Sequence, residues 1–366
     1  MSILVFILVL IALILVHEFG HFLVAKWSGM RVDEFGIGYP PRAWGKKIGE
    51  TEYTVNWLPF GGFVKIYGED PEPGIAPSPR AFTSRPRYLQ ALVLLAGILM
   101  NLLFAWILIS GTLALGTARA LTAEEAERAP DAVLAIASVL PGSPAAEAGL
   151  HQGDVILSIE GAGGSYVGAN PDLFTAFIGE HEAGLPLQVQ VRTFSGEEKT
   201  ITLASRQGVI AANPDRAAVG VAVAPVGTVK VAWYEAPVQG FVLTWEITKD
   251  VAVALVTFFI GLFTFTADLS QVAGPVGIAG AVGDASQTSI VALMTITALI
   301  SINLALINLL PIPALDGGRL VFVLIESIIR RPIPVTFANS VNAIGFGLLV
   351  LLMVIVTASD IFKIVG

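Results

Sequence analysis

The sequence predicts a polytopic α-helical membrane protein of about four transmembrane helices. One domain of soluble composition is inserted between the second and third helices, and a polar β loop separates the first from the second. Three observations carry this. Only 14% of the 366 residues are charged and 54% are hydrophobic, against about 25% charged in soluble domains; mean hydropathy is +0.75. Four stretches have the ~20 apolar residues that a ~30 Å hydrocarbon core demands. Between them lies a block with β-rich alternation and soluble composition.

The spans are Ile3–Ala25, Leu89–Leu115, Ile290–Leu310 and about Val341–Ala358. The first lacks the basic start of a signal peptide and no small-residue cleavage pattern follows it, so it is expected to be retained. The loop Lys26–Tyr88 carries nine Lys/Arg against seven acids, and Arg330-Arg331 lies between the last two spans. Positive charge beside spans marks the cytoplasmic side. Both loops are therefore expected inside, and both termini outside. In TEYTVNWLPFGGFVKIYG the alternation predicts a strand pair turning about Pro59–Gly62. The proline-rich stretch Pro71–Pro79 reads as a connector. A basic nucleic-acid-binding composition is absent.

Residues Gly116–Asp250 hold eight basic and sixteen acidic residues. The extracytoplasmic region is assigned to 116–230. Within it, GSPAAEAGLHQGDVILSIEG (Gly142–Gly161) resembles the PDZ domain of bacterial proteases. The resemblance implies one PDZ domain with its core at about 131–223 and a groove helix at Asp172–Phe177.

The first span is apolar except for His17-Glu18-Phe19-Gly20-His21. On a helix, i and i+4 share a face about 6 Å apart along the axis. Two imidazoles are thus offered to one zinc ion, with Glu18 beside them as general base. A chance match is expected in about one of 500 chains of this composition. Ionisable groups within a span cost several kcal/mol unless paired, and they mark function. His17 lies about 21 Å along the helix, about 9 Å short of the cytoplasmic face.

A catalytic zinc takes three protein ligands and one water. Cysteine is absent and the other histidines, His151 and His181, belong to the soluble region. The third ligand must be a carboxylate near an apolar segment: Asp268, Asp284, Asp316, Glu326 or Asp360. Asp316 is favoured. Pro311 and Pro313 interrupt the helix before it, and Gly317 and Gly318 allow close backbone approach. Glu326, further along, is expected to be silent to substitution.

HEFGH in the first span, the PDZ-like module and Asn308-x-x-Pro-x-Pro-x-Leu-Asp316-Gly-Gly together resemble the site-2 protease family of intramembrane zinc metalloproteases. Gly61–Glu69, Ala96–Ala105 and Ala273–Ala279 resemble its bacterial regulated-intramembrane-proteolysis branch. The resemblance implies peptide-bond hydrolysis within transmembrane segments of single-pass proteins such as pre-trimmed anti-sigma factors, in a bacterial cytoplasmic (inner) membrane. It implies that Asn308 holds the substrate backbone and that the β loop is membrane-associated. Gly61, Gly62, Phe63 and Val64 are the candidate residues for pairing with an unwound substrate strand. Alternatives are a peptidase that clears remnant signal peptides, or a non-catalytic scaffold with structural zinc.

The zinc ligands must meet at one depth. If the apolar stretch Val251–Phe265 also crossed, Asp316 would arrive at the wrong face. Residues 231–289 are therefore expected to form a surface or re-entrant segment. The catalytic domains are expected at 1–115 and 290–366.

Overall fold

The structure is a computed structural model and describes residues 2–69, 78–129, 131–193, 196–209, 216–264, 266 and 273–365. Asp268 and most of Pro71–Pro79 lie outside them. The chain divides into two compact units, Met1–Ala114 with Ala232–Gly366, and Leu115–Val231.

The first unit starts with α1 (Ser2–Trp27), followed by β1 (Val32–Ile48), β2 (Thr51–Ile66) and α2 (Arg87–Leu115). The turn between the strands is at Gly49–Glu50, where Gly49 adopts φ 64°, not at Pro59–Gly62. β2 runs through that region, and its two halves do not pair with each other. Instead 32–37 of β1 lies between them, antiparallel to 62–66 on one side and beside 52–55 on the other, while 42–48 pairs with 51–56. Pro59 has no N–H for a ladder, which fits the break in pairing. Segment 62–66 is left at an edge; among the described residues its only strand partner is β1.

The second unit holds β3 (Thr117–Ala120), α3 (Ala123–Arg128), β4 (Val133–Val139), α4 (Pro144–Glu147), β5 (Val155–Gly161), β6 (Gly164–Tyr166), α5 (Pro171–Glu180), β7 (Pro186–Arg192), β8 (Glu198–Ala204) and β9 (Val221–Val229). The sheet order is β3-β9-β4-β5-β7-β8, with β6 on β5. Strand β7 alternates strictly: Leu187, Val189 and Val191 are buried and their neighbours exposed. They pack with Leu134, Ile136, Ile159, Phe174 and Ile178. Each such burial contributes about 1.5–3 kcal/mol. Asn170 caps α5 by accepting from the Asp172 and Leu173 amides.

The chain returns to the first unit with α6 (Ala236–Phe263), α7 (Pro275–Thr288), α8 (Ile290–Leu309), α9 (Asp316–Ile329) and α10 (Val335–Val365). Among the described residues, α1, α2, α8 and α10 are long and apolar enough to cross a membrane. Helix α6 begins well before the apolar stretch at Val251. Glu246, Lys249 and Asp250 interrupt it, and Ile247 and Val251 pack on Ala105, Ile109, Ala298 and Ile302 of α2 and α8.

Two residues have partners that the linear sequence does not show. Glu326 accepts from the Ile333 amide (2.8 Å) and pairs with Arg87 of α2 at 2.7 Å. It ties α9 to α2, a contact that speaks against its being a silent position. Gly283 of α7 is buried against Ser2.

A charged cluster fastens the β loop. Glu50 accepts from Arg80 through both guanidinium nitrogens and from Lys26 at the end of α1, each at 2.7 Å. These bonds hold its carboxyl down, from an ordinary 4.5 to about 2. A depressed carboxylate stabilises the fold above its unfolded pKa, and the effect is lost as pH falls towards the folded value. Protection of the β-loop amides, taken relative to their intrinsic exchange rates, should therefore fall as pH drops from 4.5 towards about 2. Glu50→Gln should show the lower protection already at neutral pH, with little further change in that window.

Candidate metal centre and active site

His17 and His21 project from one face of α1 into a recess in α2. The recess exists because Gly97 has no side chain: a Cβ there would lie 2.4 Å from His21 Nε2 and 2.8 Å from His17 Cε1. One turn along, Gly20 lets α1 approach the Ala96 carbonyl. Both imidazoles are buried.

Asp316 arrives from the other side. Leu315 occupies the cap position of α9 and Asp316 is its first helical residue. The preceding turn is tightly held. Ala314 takes a left-handed φ of 74°. Its amide donates to Asn342 Oδ1 of α10 at 3.3 Å. Any Cβ on Gly317 would strike the Leu309 and Leu310 carbonyls, and one on Gly318 the Ile312 carbonyl. The two glycines let α9 start against the backbone leaving α8.

The outcome is a triangle of donor atoms. His17 Nε2 is 3.1 Å from Asp316 Oδ2, His21 Nε2 is 3.3 Å from the same oxygen, and the two Nε2 atoms are 3.2 Å apart. Zinc bonds of 2.0–2.1 Å at tetrahedral angles put ligand atoms about 3.3 Å apart, so the set fits zinc. His21 Nδ1 donates to the Val93 carbonyl at 2.8 Å, which leaves Nε2 with its lone pair for the metal, as ligating imidazoles require. Among the described residues this is the one cluster of three such groups. Of the rival acids, Asp284 is exposed and Asp360 accepts from the Gly277 amide at the start of α7.

Glu18 lies against the β loop. It lines a cleft with Ile14, Phe35, Gly36, Ile37 and Gly62. A Cβ on Gly62 would lie 3.3 Å from Glu18 Cγ, so the edge segment passes directly beside the carboxylate. The other loop candidates are placed differently. Gly61 abuts the Tyr39 ring, Phe63 stacks on Tyr39, and Val64 packs into the core with Ala25 and Val93. Asn308 lies in the last turn of α8, half-buried, and takes no part in the contacts that assemble the triangle.

Sequence reasoning missed the contribution of α2. Val93, Gly97 and Asn101 recur every fourth residue on one face, and Asn101 Nδ2 is 3.2 Å from His17 Nδ1. The available signal was a lone Asn within an apolar run, four residues after a Gly. Arg319, which pairs with Glu69 at the end of the β loop, was also missed. Gly97→Ala should destabilise the fold by about 1–3 kcal/mol through overpacking, read as a lower melting temperature in detergent, and should lower bound zinc. Gly347→Ala on α10, with open space around it, should not.

The sequence profile of peptidase family M50 matches residues 5–352. A Clostridium perfringens protein provisionally named a zinc metalloprotease is 37% identical, over 96% of this chain and 95% of its own length. The zinc metalloprotease RasP of Geobacillus kaustophilus is 29% identical over 99% of this chain and 98% of the relative. The regulator of sigma-W protease RasP of Bacillus subtilis is 28% identical over 98% of each. With a match running from the first helix well into the last, the chain belongs to peptidase family M50, the site-2-type zinc metalloproteases of membranes.

Proposed function

We propose that this zinc metalloprotease cuts transmembrane segments of single-pass membrane proteins, with His17, His21 and Asp316 as zinc ligands and Glu18 as general base. The observation that carries the reading is the triangle of donors at 3.1–3.3 Å, with Glu18 between it and an unpaired sheet edge.

Bound at the triangle, zinc would polarise the scissile carbonyl and acidify the attacking water. Glu18 takes that water's proton and returns it to the leaving amine. The cleft beside Glu18 is lined mainly by apolar groups and backbone, which limits bulk water and strengthens the electrostatics there. A substrate must be extended to be cut. The edge at 62–66 can supply main-chain hydrogen bonds to an unwound segment, and Gly62 allows that segment to approach Glu18. Asn308 is proposed to hold the substrate backbone from the end of α8.

The domain built on Leu115–Val231 reads as a PDZ domain outside the cytoplasm, selecting substrates whose outer parts have been trimmed. Its motif and its sheet with α5 support this. Both chain termini are placed on the same side, in the bacterial inner membrane. The name of the Bacillus subtilis relative, a regulator of sigma-W, supports anti-sigma factors as the substrate class.

Two measurements test these assignments. In detergent-purified protein with a model transmembrane substrate, Glu18→Gln should retain zinc and lose cleavage. Asp316→Asn should lose cleavage and bind zinc more weakly, because the carboxylate charge that offsets the dication is gone. Turnover near wild type in Glu18→Gln, or full zinc in Asp316→Asn, would refute the roles given. Deleting the PDZ-like domain should preserve cleavage and admit untrimmed substrates; loss of all cleavage in a folded deletion would refute selection.

For topology, the native chain has no cysteine. Gln287 is exposed near the end of α7 and serves as the reporter position. Gln287→Cys should react with an impermeant thiol reagent added from outside. Labelling from the cytoplasmic side alone would mean that α6 crosses the membrane.

A further inference from the structure

We infer that Asn101 is a positioning residue that fixes the tautomer of His17, its amide oxygen accepting the Nδ1 proton so that Nε2 presents its lone pair to the metal. The inference rests on the proposed role of His17 as a zinc ligand.

Asn101 is fully buried in an otherwise apolar stretch of α2. Burying an amide without partners costs several kcal/mol, and a polar side chain in a span marks function. Its amide nitrogen is 3.2 Å from His17 Nδ1, while Oδ1 is buried with no hydrogen-bond partner. A neutral imidazole that binds metal through Nε2 carries its proton on Nδ1. An NH2 group facing that N–H would set donor against donor. The opposite amide rotamer exchanges oxygen and nitrogen, which are alike in shape. That single rotation puts Oδ1 on the Nδ1 proton and removes the clash of donors, with the NH2 group taking the place that Oδ1 held.

Two further contacts support the assignment. Ser301 of α8 donates to the main-chain carbonyl of Asn101 at 2.8 Å, which holds this turn of α2 in place. The other imidazole is treated alike: His21 Nδ1 donates to the Val93 carbonyl, two turns before Asn101 on the same face. Helix α2 thus offers one acceptor to each ring, a backbone oxygen to His21 and a side-chain oxygen to His17, with Gly97 making room between them.

The test uses the full chain in detergent and zinc itself as probe, with affinity measured by competition against a chelator and folding by thermal melting. Asn101→Leu should fold and bind zinc about 10–100-fold more weakly, as loss of a ligand-orienting partner does. Asn101→Asp should bind close to wild type, because a carboxylate accepts the same proton. Wild-type affinity in Asn101→Leu would overturn the proposal. Equal loss in both variants would also overturn it, since that follows from a donating amide or from plain packing. Should Asn101→Asp not fold, nitrogen-15 NMR of the zinc-loaded wild type decides. The proposal expects His17 to be protonated at Nδ1, and a proton on Nε2 would refute it. His17→Ala separates the two readings. If it keeps zinc, the ligand assignment fails and this proposal with it. If it loses zinc while Asn101→Leu keeps it, only the role of Asn101 fails.

Discussion

Three donor atoms from two distant parts of the chain must meet within 3.3 Å, inside a bundle built to exclude water. Most of the membrane unit can be understood from that requirement. Side chains reach only a few ångströms, so the helices carrying them have to approach more closely than large apolar residues allow. Gly20 and Gly97 remove the obstacle between α1 and α2, and Gly317 and Gly318 remove it where α9 starts against the end of α8. In a soluble core, close packing adds stability. Here it also sets the distance between ligands.

The second demand is polar satisfaction. Each imidazole has two nitrogens, and the one turned from the metal needs a partner of its own. Helix α2 meets this for His21 with the Val93 carbonyl, and Asn101 lies at the matching place beside His17. The β loop adds the opposite feature, an edge whose backbone groups are not taken up by another strand among the described residues. Satisfied polar groups fix the metal side of the cleft, and unsatisfied ones are open to a partner on the other.

The chemistry was legible in the sequence because it is local. His17, Glu18 and His21 declare themselves by helical spacing within an apolar run, and Asp316 by the prolines and glycines around it. The four long helices follow from apolar length alone. What was not legible depends on neighbours in space. The β loop was read as a hairpin about Pro59–Gly62 because alternation does not say which strand is the partner, and the partner was β1. Asn101 lies within Ala96–Ala105, whose resemblance gave it no role, and nothing local marked it as facing His17. Glu326 looked idle because Arg87, its counter-ion, is far away in sequence. Helix α6 was underestimated because Glu246, Lys249 and Asp250 conceal its continuity from a hydropathy reading.

The turn before Asp316 shows how far responsibility for the site extends. Ala314 is held in a left-handed conformation that costs a non-glycine residue about 1–2 kcal/mol. Helix α10 keeps it there, through Asn342 on the Ala314 amide and through Gly345, whose missing side chain leaves room for Pro313. The last helix contributes no donor to the triangle, yet it acts as a latch on the strained link that delivers the carboxylate. Changes at Asn342 and Gly345, some thirty residues from Asp316 in the sequence, thus act on the delivery of its carboxylate as directly as changes in the turn itself.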